Sequence, residues 1–171
     1  MSAEPVAVDA EPWLRGPIED VHPLVMPTLH SFAQVREDLA RWTRGLTDAQ
    51  VWVRPHDLAP VGFHLRHIAG SVDRLTTYLE GRQLSADQLE TARREMDSCA
   101  ALAELLDEIA QALDRSERVI RLLKPETLRE QRYVGRRRLP TTAIGLVVHL
   151  AEHTQRHVGE LIVTAKLAAG T

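Results

Sequence analysis

The stretch TTAIGLVVHLAEHTQRHVGELIVTAKLAAG, residues 141–170, carries the longest helical pattern in the chain. Its apolar side chains recur at the spacing of one helix face: Leu146, Val147, Leu150, Val158, Leu161 and Ile162. Thr141 or Thr142 can cap the start of this helix after Pro140, and we expect it to continue to about Ala168. The stretch therefore predicts a long amphipathic helix that packs against other helices.

Three further helical patterns precede it, at about residues 27–44, 62–80 and 99–123. Each ends at a residue that stops a helix: Gly45, Gly81 and Pro125. We expect Ser98 to cap the third helix, and the polar segment 85–96 to form one or two extra turns. The strand signal is weak, with a short β-like piece at residues 133–134. Four amphipathic helices predict an all-α four-helix bundle with a short extra helix between its second and third helices.

The chain length predicts a single folded domain. A chain of 171 residues is long enough for one hydrophobic core and short for two. Prolines recur in the first 17 residues, which lack the apolar core of a signal peptide. We expect residues 1–22 to form an extended arm and residues 23–171 to form the domain.

Charge and composition exclude several classes of partner. The formal net charge is -3, so no large basic excess is present to neutralise the phosphates of a nucleic acid. The one basic cluster, residues 136–138, is predicted to be a solvated loop. No apolar run reaches the roughly 20 residues that cross a bilayer. Cys99 is the single cysteine, which fits a cytoplasmic protein, and we expect it to be buried as a small apolar side chain.

The histidines are the main functional signal in the sequence. The chain has eight, and five lie on the second and fourth predicted helices: His64, His67, His149, His153 and His157. Residues four apart lie one above the other on a helix, so two imidazoles at that spacing can bind one metal ion. A third ligand would come from a facing helix, as bundle cores allow.

Helical phase ranks these histidines. On the fourth helix, His153 and His157 lie nearer the border of the apolar face, and His149 points furthest from it. On the second helix, phase prefers His64 to His67 as the partner. A competing motif, H-x-x-E-H from His149 to His153, is the signature of inverted zinc peptidases, in which Glu152 would be the general base.

Three motifs in order resemble one protein family. The segment HLAEHTQRHVGEL resembles the last helix of the DinB/YfiT-like family of metal-dependent enzymes, which carries H-x-x-x-H followed by x-G-[QE]. The segment GFHLRHIAGSVDRL is similar to the second helix of that family, and LTDAQVWVRP looks like its first connector. The resemblance extends from about residue 27 to residue 167.

The resemblance implies a four-helix bundle that binds a divalent ion, zinc or nickel, through three histidines. Carried over onto this chain, the ligands are His67, His153 and His157 in place of the His64 that phase prefers. His64, His149 and Glu160 are then alternative ligands, or side chains that orient the ligands. Gly159, before Glu160, is expected to permit close helix packing.

The resemblance also implies a function. Members of the wider family include thiol transferases, so we expect a metal-dependent S-transferase that uses a low-molecular-weight thiol, or a hydrolase, acting on a small-molecule substrate. The alternative is a non-catalytic metal-binding or dimerising bundle. A homodimer is expected from the family, and neither nucleic acid nor membrane is expected as a partner.

Overall fold

Four long helices form a bundle in the computed structural model, which describes residues 10–170. They are α1 (Met26–Trp42), α3 (Val61–Leu79), α5 (Leu102–Arg121) and α6 (Ala143–Ala168). Two short helices, α2 (Asp48–Val51) and α4 (Ala86–Arg93), and three 3-10 turns, Pro12–Leu14, Pro55–Asp57 and Pro125–Arg129, lie in the connections. The predicted all-α bundle is confirmed, and α4 is the predicted extra helix between the second and third long helices.

The order of the helices around the bundle follows from their contacts. Helix α3 packs against both α5 and α6, whereas α1 packs mainly against α6 and less extensively against α5. Helices α3 and α6 are therefore neighbours, and the two helices that carry five of the histidines share one seam.

The core is built from apolar side chains at helical spacing. On α5, Leu105, Ile109 and Leu113 recur every four residues and are almost fully buried. Full burial of one such side chain contributes about 1.5–3 kcal/mol to folding. Phe32 and Val35 of α1 belong to the same buried cluster.

The start of the third long helix differs from the prediction. Helix α5 begins at Leu102 because Glu104 accepts a hydrogen bond from the backbone N–H of Ala101, so the predicted cap at Ser98 is wrong. The preceding loop is held against α2, where Asp48 accepts a hydrogen bond from the N–H of Leu102 at 2.8 Å. In this loop Cys99 is exposed, which corrects its predicted burial.

A β-hairpin leads the chain into α6. Strands β1 (Gln131–Val134) and β2 (Leu139–Thr142) pair antiparallel, a larger element than the piece predicted at residues 133–134. The basic cluster at residues 136–138 lies in the turn between them, as predicted. At the end of β2, the Thr142 side chain accepts a hydrogen bond from the N–H of Gly145 and caps α6.

The described part of the predicted N-terminal arm lies against α1. Pro12 is buried, and Arg15 forms an ion pair with Glu37. Residues 1–9 of that arm lie outside the described residues. Between residues 10 and 170, none of the helices has the length and apolar character needed to cross a bilayer.

Candidate metal centre

Helices α3 and α6 bring three imidazoles together. His67 of α3 and His153 and His157 of α6 each offer a ring nitrogen, and the three nitrogens lie within 4.8 Å of one another. The Nε2 atoms of His67 and His153 are 3.1 Å apart. Two ligands on a tetrahedral ion with bonds of about 2.0–2.1 Å would be separated by about 3.3 Å. The chemistry and spacing of the donors therefore fit a divalent ion.

The geometry of α6 explains the pair on that helix. His153 and His157 are one turn apart, and their ring centroids are separated by 4.7 Å. The ring centroid of His67 lies 5.2 Å from that of His153 and 4.3 Å from that of His157. The side chains of His67 and His157 are 18% and 15% exposed, so the cluster sits at the border of the bundle and solvent reaches it.

Burial keeps His153 and His157 neutral, because it lowers the pKa of both. It lowers the pKa of His153 to about 4, and the neighbouring rings of His157 and His67 act in the same direction. Burial also lowers the pKa of His157, with a further contribution from His67. Neutral imidazoles carry the lone pairs that a metal ion needs, so these two are ready to bind at pH 7.

A carboxylate that the sequence analysis missed lies behind His67. Oε2 of Glu95 is 2.7 Å from Nδ1 of His67, and Oε1 of Glu95 is 2.7 Å from a guanidinium nitrogen of Arg74. Burial alone would raise the pKa of Glu95, but the hydrogen bond with His67 and the charge of Arg74 together lower it. Glu95 is thus an anion that accepts the Nδ1–H of His67. Because it follows α4 in a polar turn, no spacing in the sequence relates it to His67.

A second carboxylate contacts His157. Oε2 of Glu160 lies 2.9 Å from Nδ1 of His157 and 3.5 Å from Nδ1 of His64. His64, His157 and Glu160 form a second group whose potential ligand atoms lie within 4.8 Å of one another. His64 is buried, and this burial lowers its pKa to about 4.

The structure brings His67, and not the His64 preferred by phase, into the triad with His153 and His157. Helical phase compares each side chain with the apolar centre of its own helix. Helix α3 packs on two neighbours, α5 and α6, so its apolar centre does not point at the seam with α6. His64, which phase preferred as the metal partner, is instead buried beside Glu160.

The other predicted site residues are not part of the triad. The ring of His149 lies 5.2 Å from that of His153, but its side chain is 44% exposed and its Nδ1 is 2.8 Å from Glu152. Glu152 also forms an ion pair with Arg156, so the carboxylate of the peptidase-like motif is an exposed group paired with His149 and Arg156. The role expected for Gly159 is wrong, since it is exposed and an added Cβ would meet no atom within 4 Å.

Comparison with known protein families finds a match to this chain. The family model described as the DinB superfamily matches residues 31–161, a range that includes α3 and all three imidazoles of the triad. A search of curated proteins finds no match to the chain.

Proposed function

Because the chain belongs to the DinB superfamily, we propose that it is a metal-dependent enzyme whose divalent ion is held by His67, His153 and His157. The observation that carries this proposal is the convergence of three imidazoles from two helices. The Nε2 atoms of His67 and His153 lie 3.1 Å apart across the seam between α3 and α6. Imidazole ligands suit zinc and nickel, and we propose one of these two ions.

The chemistry follows from the ligand set. A divalent ion held by these three imidazoles would keep coordination positions open and would lower the pKa of a water or thiol bound there. Glu95 accepts the Nδ1–H of His67, which leaves the Nε2 lone pair of that ring free, and a carboxylate oxygen of Glu160 lies beside Nδ1 of His157. The partial exposure of the cluster gives a small molecule access to it.

Two reaction classes use this arrangement. In S-transfer, the sulfur of a low-molecular-weight thiol would form a bond to an electrophilic carbon of the substrate, the bond from that carbon to the leaving group would break, and the leaving group would depart with the electron pair while the thiol proton passes to solvent. In hydrolysis, the oxygen of water would bond to the carbonyl carbon of an ester or amide, the C–O or C–N bond would break, and the alcohol or amine would leave carrying a proton from the water. Both reactions need a nucleophile that forms at neutral pH. His153 and His157 are neutral at that pH and can therefore hold the ion that would activate the nucleophile.

Metal content tests the proposal. Tag-free protein measured by mass spectrometry should contain about one zinc or nickel ion per chain, as a single three-histidine site requires. His153→Ala should lose the ion. His149→Ala is the matched control, because it removes an exposed imidazole one turn away on the same helix, and it should keep the ion.

Two other outcomes would contradict the proposal of a metal-dependent enzyme. Wild-type protein without bound metal after reconstitution with zinc and nickel would contradict the metalloenzyme proposal. Protein that binds one ion but turns over neither thiol acceptors nor esters would favour the non-catalytic bundle. If the ion is structural, its removal should also lower the melting temperature of the protein strongly.

A further inference from the structure

We infer that Glu95 is a positioning residue of the metal centre: its buried carboxylate holds the Nδ1–H of His67 and so keeps the Nε2 lone pair directed at the ion. The inference rests on the proposed function, since it names the residue that prepares one of the three ligands. It assigns a role to the turn after α4, which contributes no ligand of its own.

The ring of His67 is held from two directions. Oε2 of Glu95 lies 2.7 Å from its Nδ1, and the Glu95 side chain is only 9% exposed. The ring of Phe63 stacks on that of His67 with centroids 5.4 Å apart and planes 18° from parallel. Glu95 therefore fixes the edge of the imidazole while Phe63 covers its face, and rotation of the ring about χ2 is opposed by both.

Arg74 and Gly70 keep the carboxylate in place. A guanidinium nitrogen of Arg74 lies 2.7 Å from Oε1 of Glu95, which leaves Oε2 for His67. A Cβ at Gly70 would lie 2.7 Å from the guanidinium of Arg74 and 2.9 Å from Oε1 of Glu95, so a side chain there would force one or both of these groups to move. A buried ion pair stabilises a fold little compared with apolar packing. We therefore assign to the Glu95–Arg74 ion pair a role in orienting the imidazole of His67.

The turn that carries Glu95 is also anchored independently of His67. Arg66 of α3 donates hydrogen bonds to the backbone carbonyls of Arg94 and Asp97, on either side of Glu95. The carboxylate thus remains beside His67 whichever tautomer the ring adopts. A change at Glu95 can therefore alter the ring without releasing the turn.

The hydrogen bond between His67 and Glu95 determines where the imidazole protons lie in the metal-free protein. Only one proton fits between the Nε2 atoms of His67 and His153, which are 3.1 Å apart. Because Nδ1 of His67 carries its proton toward Glu95, the proton between the two rings belongs to His153. A glutamine at position 95 could donate as well as accept, and would permit both tautomers of His67.

Glu95→Gln tests this assignment with two readouts. Nitrogen NMR of the metal-free protein should show His67 as the Nδ1–H tautomer in wild type and as a mixture in Glu95→Gln. Zinc affinity, measured by competition with a chromophoric chelator, should fall about 10–100-fold in the variant. Glu90→Gln is the matched control: it makes the same change in charge at an exposed position of α4, and neither readout should change.

Gly70→Ala provides a second route if Glu95→Gln does not fold. Its methyl group would displace the carboxylate without removing it, and zinc affinity should fall in the same direction. Gly159→Ala, the same change where an added Cβ meets nothing, is its control. Unchanged zinc affinity and an unchanged His67 tautomer in the variants, with wild type binding zinc, would overturn this inference alone. Failure of wild type to bind zinc would overturn the proposed function together with it.

Discussion

Nε2 of His67 and Nε2 of His153 lie 3.1 Å apart across the seam between α3 and α6, although 86 residues separate them in the chain. Two basic nitrogens at this distance require either a shared proton or a cation between them. The third imidazole, His157, lies beside both rings, as the proposed metal site requires. The triad is therefore a product of helix packing, and replacing one histidine on each side of the seam tests it.

The first prediction separates His67 from His64 as the ligand on α3. His67→Ala should weaken zinc binding by more than about 100-fold, because it removes a ligand rather than its support. His64→Ala should retain zinc but lower the free energy of unfolding by about 1–3 kcal/mol, because it deletes a buried side chain. Chelator competition measures the first effect, and urea unfolding with EDTA measures the second.

The reverse result has a specific meaning. Loss of zinc in His64→Ala with retention in His67→Ala would place the ion in the second group, formed by His64, His157 and Glu160. Each variant serves as the control for the other, since both delete one imidazole from the same helix.

The second prediction concerns two glycines with opposite surroundings. A Cβ at Gly62 would lie 2.7 Å from the ring of Trp52, whose Nε1–H donates to the carbonyl of Ala100 at 2.9 Å. Gly62→Ala should displace this ring and lower the free energy of unfolding by about 1–3 kcal/mol. Gly159→Ala should raise it by up to about 1 kcal/mol, since helix propensity improves without a clash. Urea unfolding of both variants checks the pair, and equal effects would contradict it.

The bundle was predictable because its helices carry their own signals. Apolar residues at i and i+4 on α5 and the Thr142 cap of α6 are local features that fold as the sequence indicates. The start of α5 was predicted wrongly because two contacts define it. Glu104 accepts from the N–H of Ala101, a local signal that the sequence contains, and Asp48 of α2 accepts from the N–H of Leu102, 54 residues away, which local sequence does not indicate.

The site was predictable only in its local part. The spacing of His153 and His157 on one helix indicates a metal pair, because i and i+4 always share a face. The choice between His64 and His67 depends on how α3 is rotated against two neighbours, which a single helical wheel does not contain. Glu95 reaches the site through a turn whose position is set by Arg66 and Arg74, so nothing in its neighbouring sequence indicates the role.

The third prediction is a fall in stability of the metal-free protein with acidification. The pKa values of His64 and His153 are both lowered to about 4 by burial, whereas unfolded histidine titrates near 6.5. The unfolded state therefore binds more protons between pH 6.5 and 4, and the stabilising contribution present above pH 6.5 is lost as the pH falls through this window. For the buried His64 the loss is on the order of 3 kcal/mol by pH 4.

Urea unfolding in EDTA at pH 7 and pH 5 measures this effect. Between pH 5 and pH 7, Glu95 and Glu152 contribute little to this change in stability. Their pKa values are lowered in the folded protein, so both side chains stay ionised over that range. His64→Leu should flatten the dependence because it removes one of the two groups. Equal stability of wild type at pH 5 and pH 7 would contradict the prediction.

The last prediction contrasts the two carboxylates of the site. Oε2 of Glu160 lies 2.9 Å from Nδ1 of His157 without forming a hydrogen bond, and the Glu160 side chain is 49% exposed. Glu95, in contrast, is buried, hydrogen-bonded to His67 and paired with Arg74. Glu160→Gln should therefore keep zinc affinity within about threefold, because no hydrogen bond is lost and water screens the lost charge. Glu160→Ala should cost more, up to about tenfold, because it removes the side chain that lies against the ring of His157. A loss in Glu160→Gln as large as that in His153→Ala would mean that Glu160 itself binds the ion, and the second group would replace the triad as the metal site. Zinc titration of these variants beside Glu95→Gln distinguishes a ligand from the side chain that orients it.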